Sequence, residues 1–189
     1  MFNAFIPFDG AVFEWVGAHL RPGSGGFWDA FFTLVTHLGD GGAFWIALAL
    51  ILLIPKSTRK AGIVMAFALI LDVILVNGLL KRIFARPRPF DIDWAAYRYA
   101  FPDLIKKPTD FSFPSGHTAA SFAGALGLCL GLRKPYAIAG VILAALIGFS
   151  RIYVGVHYAT DVLAGVAAGA VCAVAAFIIA SNIRVLREN

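Results

Sequence analysis

Charged residues are scarce in this chain: they make up 14% of its 189 residues, whereas hydrophobic residues make up 60%. A soluble domain of this size is about half apolar and about a quarter charged. The composition therefore argues against a freely soluble globule, and it excludes a disordered chain. The length instead suits about five membrane-spanning helices of roughly 20 residues each.

Cysteine is almost absent, and acidic residues are outnumbered. The two cysteines, Cys129 and Cys172, lie inside apolar runs, so the sequence has no disulfide framework and no cysteine metal site. Lys and Arg total 16 against 11 Asp and Glu, a net charge of +5. A chain that is this apolar cannot carry a soluble basic face that binds nucleic acid. The basic residues indicate cytoplasmic loop charge and an anionic ligand. The oligomeric state stays open.

Five apolar runs predict an all-α fold, an integral membrane helical bundle of about five transmembrane helices. They cover residues 42–54, 61–80, 117–132, 136–149 and 162–180. The third and fourth are short, which indicates a site recessed at one membrane face or local thinning of the bilayer. We expect one domain with an interfacial helical segment at 1–38, a transmembrane core at 39–182 and a cytoplasmic tail at 183–189. In that first segment, His19 and His37 have no acidic partner at helical spacing and are expected at the interface.

Loop charge predicts the orientation of the bundle. With five spans, three basic segments fall on one side, which should be cytoplasmic. They are Lys56, Arg59 and Lys60; Arg133 and Lys134; and Arg184 and Arg187 in the tail. The opposite face then carries residues 86–117 and 150–157. Its basic residues are as numerous but interleaved with aspartates, and several appear in the chemical patterns below.

Residues 81–89, which follow the second apolar run, contain four cations: Lys81, Arg82, Arg86 and Arg88. One interpretation is a belt that anchors the chain at the bilayer boundary. The other is an anion cradle, because Arg offers a planar fork to phosphate oxygens and Lys a point charge. Arg82 and Arg86 either extend this cradle to a second phosphate or anchor headgroups.

Residues 113–118 precede the third run with a Pro-Ser-Gly-His sequence. Pro114 and Ser115 are helix-start signals. A helix N-terminus binds anions through unpaired N–H groups, and Gly116 lets a ligand approach the backbone. The alternative is an ordinary capped helix with His117 at the interface.

Residues 150–161 place His157 four residues before Asp161. If the last helix begins near His157, the two share one face, and Asp161 can accept the Nδ1–H of the imidazole. Nε2 is then unprotonated and aimed outward, an arrangement that suits a nucleophile. The alternatives are a buried pair that holds two helices together, or half of a metal site. A metal is disfavoured because no second histidine stands at helical spacing and no carboxylates cluster.

Together the three segments fit phosphoryl transfer without a metal. A neutral imidazole attacks phosphorus, cations stabilise the charge on the equatorial oxygens, and a second histidine protonates the leaving oxygen. Within the second run, Asp72 and Asn77 are expected to form an interhelical hydrogen bond, with a proton relay as the alternative.

The same residues resemble the three-part signature of the type-2 phosphatidic acid phosphatase superfamily. Its parts are Lys81-x6-Arg88-Pro89, Pro114-Ser115-Gly116-His117 and Ser150-Arg151-x5-His157-x3-Asp161. The resemblance implies a metal-independent lipid phosphatase with His157 as nucleophile, Asp161 as its orienting acid, and His117 as general acid and later base. It also implies that the phosphate is held by Lys81, Arg88, Ser115, the Gly116 N–H and Arg151, with no cofactor.

We therefore expect a multi-pass plasma-membrane enzyme that removes a terminal phosphate at the outer face, with its C-terminus in the cytoplasm. Its substrate would be undecaprenyl diphosphate, phosphatidylglycerophosphate, phosphatidic acid or a phosphorylated lipid A, with selectivity in residues 90–113 and in the first 38 residues. Two alternatives stay open. One is a phosphotransferase that uses the same site, and the other is a non-catalytic lipid-phosphate binder or flippase.

Overall fold

The structure, a computed structural model, describes residues 2–21, 25–92, 103–132 and 134–182. Within these ranges it contains helices and no strand, which confirms the predicted all-α membrane bundle. The α-helices are α1 (Ile6–Leu20), α2 (Phe27–Leu38), α3 (Ala43–Leu53), α4 (Arg59–Asp72), α5 (Lys81–Phe84), α6 (Gly116–Gly131), α7 (Lys134–Tyr153) and α8 (Ala159–Asn182). Short 3₁₀ turns occur at Phe2–Phe5, Asp40–Gly42 and Pro89–Asp91.

Three helical stretches of the described chain are long and apolar enough to cross a membrane: Arg59–Asp91, Pro135–Tyr153 and Ala159–Asn182. A fourth candidate is the pair Phe27–Leu38 and Asp40–Leu53, which is bent by 44° at its break. Helix α6 has 16 residues, about 24 Å, and is shorter than a bilayer's hydrocarbon core. The count of five spans thus stays a prediction, although all five predicted runs are helical.

Helix α6 lies in the middle of the bundle, where it packs against α4, α7 and α8. Small residues let the backbones of α6 and α8 approach closely. A Cβ at Gly165 would lie 2.8 Å from the Ser115 carbonyl oxygen, and one at Gly169 would lie 2.5 Å from that of Ala119. These two glycines therefore seat the start of α6 directly against the start of α8.

The starts of α6 and α8 are fixed by their own side chains. Ser115 caps α6 by accepting from the Thr118 N–H at 3.4 Å. Asp161 makes the reverse contact in α8: it is the third residue of the helix, and its carboxylate accepts from the N–H of Tyr158, the residue before the helix, at 3.0 Å. Helix α8 thus begins after His157 and not at it. The two helix starts and the ends of α5 and α7 meet at one end of the bundle, where the predicted motifs are found.

A π-helical segment, Val73–Leu80, joins α4 to α5. In a regular α-helix the nine steps from Asp72 to Lys81 make two and a half turns, which would place the two side chains on opposite sides. The wider π turn changes this register, and both residues face the same cavity. This segment therefore determines which side of the helix supplies the site.

The N-terminal segment packs on the core more firmly than an interfacial helix requires. Asp9, Phe13 and Val16 of α1 are buried, and α2 packs along α7. The predicted division at residue 38 stays a prediction, as does the tail at 183–189, which lies outside the described residues.

Candidate active site

A cavity of about 380 Å³ opens at the end of the bundle where the motifs meet. Six of the eight predicted site residues line it: Lys81, Arg88, Gly116, His117, Arg151 and His157. The other two, Ser115 and Asp161, are fully buried behind it. Segments more than 70 residues apart in the sequence thus share one small polar cavity.

The two ring nitrogens of His157 face different surroundings. Nε2 lies 3.2 Å from Arg88 Nη1, and Nδ1 lies 3.4 Å from both Ser112 Oγ and Asp161 Oδ2. A guanidinium can only donate, so Nε2 must be the acceptor and the ring proton sits on Nδ1. Burial, followed by the positive charges of Arg88 and Arg151, lowers the pKa of His157 well below its usual value. The imidazole is therefore neutral, and its Nε2 lone pair accepts from Arg88 Nη1.

Ser112 lies between His157 and Asp161 and was not predicted. Its hydroxyl donates to Asp161 Oδ2, so its oxygen is left to accept the Nδ1–H of His157. Asp161 also accepts from Arg86 Nη1 at 2.6 Å. The carboxylate is thus held by several donors, and it orients the imidazole partly through Ser112.

The sequence offered two interpretations of Arg86, a contact with a second phosphate and an anchor for headgroups. The structure agrees with neither. The Arg86 guanidinium is buried and bridges Asp161 to Asp9 of α1, with Nη2 2.8 Å from Asp9 Oδ2. Asp9 also accepts from the N–H and hydroxyl of Thr160. A helix from the N-terminal segment therefore supports the residue that orients His157.

Lys81 and Arg88 both bind Asp110. Lys81 Nζ donates to Asp110 Oδ2, and Arg88 Nη2 donates to Asp110 Oδ1 at 2.6 Å. Both cations are buried, whereas the Asp110 side chain is 54% exposed. Burial alone would raise the pKa of Asp110, but the hydrogen bond and charge of Lys81, with the charge of Arg88, hold it at about 2. Asp110 was noted in the sequence only as loop charge.

Arg151 lines the cavity and keeps one buried donor that has no partner among the described residues. Its Nη1 donates to Thr36 Oγ1 of α2 at 2.6 Å, which fixes the guanidinium from a second helix. Its Nε is buried and has no hydrogen-bond partner in the described part of the chain. A buried guanidinium with a free donor beside a cavity favours an anionic ligand.

His117 has a carboxylate partner that its helix does not supply. Its Nε2 lies 2.9 Å from Asp40 Oδ1, and the other oxygen of Asp40 lies 2.7 Å from His37 Nδ1. The prediction that His37 has no acidic partner was therefore wrong. Asp40 stands three residues after His37, in the bend between α2 and α3, where the regular helix has already ended.

Two further expectations concern the polar residues around the cavity. Ser115 Oγ accepts from the Thr118 hydroxyl at 2.9 Å and acts as a cap, so its predicted contact with phosphate stays a prediction. Asp72 Oδ1 has no hydrogen-bond partner among the described residues, so the expected interhelical bond is not seen at that oxygen. Asp72 and Asn77 line the cavity instead.

The described side chains form no group of three or more His, Cys, Asp or Glu residues with the spacing of a metal site. Three cations, Lys81, Arg88 and Arg151, line the cavity, which suits a reaction in which fixed positive charge stabilises the equatorial oxygens. Independence from metal stays a prediction for experiment.

Comparison with known proteins places these residues inside a recognised family region. Residues 60–184 match the PAP2 superfamily. The chain is 40% identical over 121 residues to an undecaprenyl-diphosphatase of Sulfolobus acidocaldarius, covering 64% of this chain and 56% of that protein. It is 35% identical over 140 residues to a decaprenylphosphoryl-5-phosphoribose phosphatase of Mycobacterium tuberculosis, covering 72% and 71%. The chain thus spans little more than half the length of the archaeal relative, and both relatives are phosphatases, the enzyme class that was predicted.

A solved structure shares the arrangement of helices. The crystal structure of a transmembrane PAP2-type phosphatidylglycerolphosphate phosphatase from Bacillus subtilis superposes with a TM-score of 0.73 at 28% identity. The match covers 96% of this chain and 89% of that one, so it includes the N-terminal helices.

Proposed function

Because the chain belongs to the PAP2 superfamily, we propose that it is a membrane lipid phosphatase. It removes the terminal phosphate of a lipid phosphate or diphosphate through a phosphohistidine at His157. The observation that carries this proposal is the shared cavity, in which His157 and the cations Lys81, Arg88 and Arg151 line one small volume with His117.

In the first step, the Nε2 lone pair of His157 attacks phosphorus, and an N–P bond forms as the bond from phosphorus to the lipid oxygen breaks. His117 gives a proton to that oxygen, so the lipid leaves as a neutral hydroxyl or as a singly esterified phosphate. Arg88 Nη1 now lies on Nε2, so it must turn to a phosphate oxygen before the attack. Lys81 and Arg151 stabilise the remaining equatorial charge.

In the second step, water attacks the phosphorus of the phosphohistidine. His117, now neutral, takes a proton from this water, and the N–P bond breaks with its electron pair returning to Nε2. Inorganic phosphate leaves, and both histidines are again in their starting protonation states. Proton and charge therefore balance over the cycle without a cofactor.

An apolar groove beside the cavity supports lateral entry of the lipid. Ile46 and Leu50 of α3 and Ile70 and Ile74 line this groove, and Val73 lines both the groove and the cavity. A lipid chain in the groove stays in the bilayer while its phosphate reaches the cations. We place the site at the outer face of the plasma membrane and the C-terminus in the cytoplasm, because the basic turn at 55–60 lies at the opposite end of the bundle.

The deciding experiment is a phosphate-release assay with the purified chain in detergent and excess chelator. The substrates are undecaprenyl diphosphate, phosphatidylglycerophosphate, phosphatidic acid, a phosphorylated lipid A and decaprenylphosphoryl-5-phosphoribose, with a short water-soluble phosphate ester as the matched non-lipid substrate. We expect release from at least one lipid, undiminished by chelator. Absence of release from all five, with and without added divalent metal, would refute the proposed activity.

The same assay separates the two alternatives. A phosphotransferase releases little phosphate alone and forms a new phosphorylated lipid when an acceptor lipid is added. A binder or flippase releases none under either condition while still retaining the labelled lipid.

A further inference from the structure

The carboxylate of Asp110 already forms ion pairs with two of the cations that the proposed reaction needs. The two oxygens of Asp110 accept from Lys81 Nζ and Arg88 Nη2. Two oxygens of a phosphate group would bind these donors in the same way, since both anions offer oxygens at similar spacing. In the absence of ligand, Asp110 is therefore a counter-anion within the phosphate site.

The donors of Arg88 leave little room for an additional anion. Nε donates to the Asp110 carbonyl at 2.8 Å, and Nη1 donates to the Val156 carbonyl at 2.7 Å and to His157 Nε2. Nη2 is bonded to the Asp110 carboxylate. Four of the five N–H donors of Arg88 are thus used within the described residues, so a phosphate that takes two of them must replace a partner, and the two carbonyl partners belong to the backbone.

The Asp110 side chain is the partner that can be replaced. It is 54% exposed, whereas the side chains of Lys81 and Arg88 are 7% and 2% exposed. It also lies in a stretch without regular helix that leads to α6. A displaced carboxylate is therefore hydrated at once, while the cations stay in place for the incoming anion.

We infer that Asp110 competes with phosphate for Lys81 and Arg88 and thereby limits the affinity of the site for free phosphate. It yields both cations when the substrate's phosphate, with its greater charge, enters, and it takes them back as the product leaves. The competition weakens product binding and favours turnover. This inference rests on the proposed phosphate site but not on hydrolysis of any particular lipid.

The test compares Asp110→Asn, which keeps the shape and removes the charge, with Asp103→Asn as the matched control. Asp103 lies in the same stretch and pairs with Lys107, and both side chains are substantially exposed. Binding of inorganic phosphate to each purified full-length protein in detergent is measured by isothermal titration calorimetry. We expect the dissociation constant to fall at least about tenfold in Asp110→Asn, the equivalent of one charge-assisted hydrogen bond regained by the ligand, and to be unchanged in Asp103→Asn.

Unchanged or weaker phosphate binding in Asp110→Asn would overturn the inference, because Asp110 would then serve only to hold Lys81 in position. If loss of the carboxylate destabilises the protein, the rise in melting temperature with added phosphate is the second readout. That rise should be larger in Asp110→Asn, and in Asp110→Ser, than in the wild type. Neither measurement uses turnover, so failure here is distinct from a negative result in the lipid assay.

Discussion

Replacing Ser112 with alanine tests whether the hydroxyl between His157 and Asp161 contributes to catalysis. As Nε2 bonds to phosphorus, the imidazole gains positive charge. The hydrogen bond from its Nδ1–H is therefore stronger in the transition state than in the ground state. Ser112 is fully buried and donates to a carboxylate, so it relays that negative charge to the ring. Charge-assisted hydrogen bonds contribute about 1.5–3 kcal/mol.

This range corresponds to a decrease in kcat of about 10- to 150-fold. KM should change little, because Ser112 lies behind His157 and does not itself line the cavity. The assay is single-turnover phosphate release with the best lipid of the panel. Ser112→Thr, which keeps the hydroxyl, should retain most of the activity if the larger side chain is accepted.

Ser121→Ala is the matched control. Ser121 is equally buried and uses its hydroxyl in one contact, with Trp45 Nε1 at 3.0 Å, in the core away from the cavity. Its loss should lower stability and leave kcat unchanged. If Ser112→Ala turned over at the wild-type rate, or if both variants lost the same activity, the reasoning about Ser112 would be refuted.

Three further predictions follow from the same site. His157→Ala and His117→Ala should each lower kcat by at least about 10³-fold while the protein still folds, as judged by gel filtration and melting temperature; near-normal turnover in purified His157→Ala would remove the proposed nucleophile. Because the pKa of His157 is lowered in the folded state, the unfolded chain binds more protons below its usual value of 6.5, so folding stability should fall as the pH falls through that value. Melting curves at pH 8, 6.5 and 5 check this slope, which His157→Gln should reduce. Asp9→Asn breaks the buried ion pair with Arg86 and should destabilise the protein by about 3 kcal/mol or more, whereas Glu14→Gln at an exposed position of the same helix should not; equal melting temperatures of the two variants would contradict the structural role of Asp9.

The sequence was sufficient to predict six of the residues that line the cavity, but not Asp110, and it was insufficient for the residues that hold them in place. Lys81, Arg88, His117 and His157 stand in fixed local spacings with residue types that suit phosphate chemistry, so motif and chemistry agree. Their supports come from distant parts of the chain: Thr36 reaches Arg151 across 115 residues. No local period marks such a pair, because only the packing of the helices brings the two side chains together.

The helices themselves were predictable to within a few residues, because long apolar runs admit little else in a bilayer. Their caps and bends were not. The start of α8 depends on Asp161 accepting from the Tyr158 N–H, and this places His157 in the preceding loop. The contact between His157 and Asp161 that helical spacing suggested is present, but loop geometry and Ser112 produce it.

The π-helical segment between α4 and α5 also makes the site sensitive to the number of residues there. If one residue between 73 and 80 were deleted and the stretch closed into an ordinary α-helix, eight steps of about 100° would separate Asp72 from Lys81, so the two side chains would diverge by about 80° around the axis. Lys81 would then rotate toward a neighbouring helix or the lipid while its sequence motif remained intact. Chain length in this stretch, as much as amino-acid identity, is therefore part of what encodes the enzyme, and a homologue one residue shorter here would have to reach its phosphate from another side.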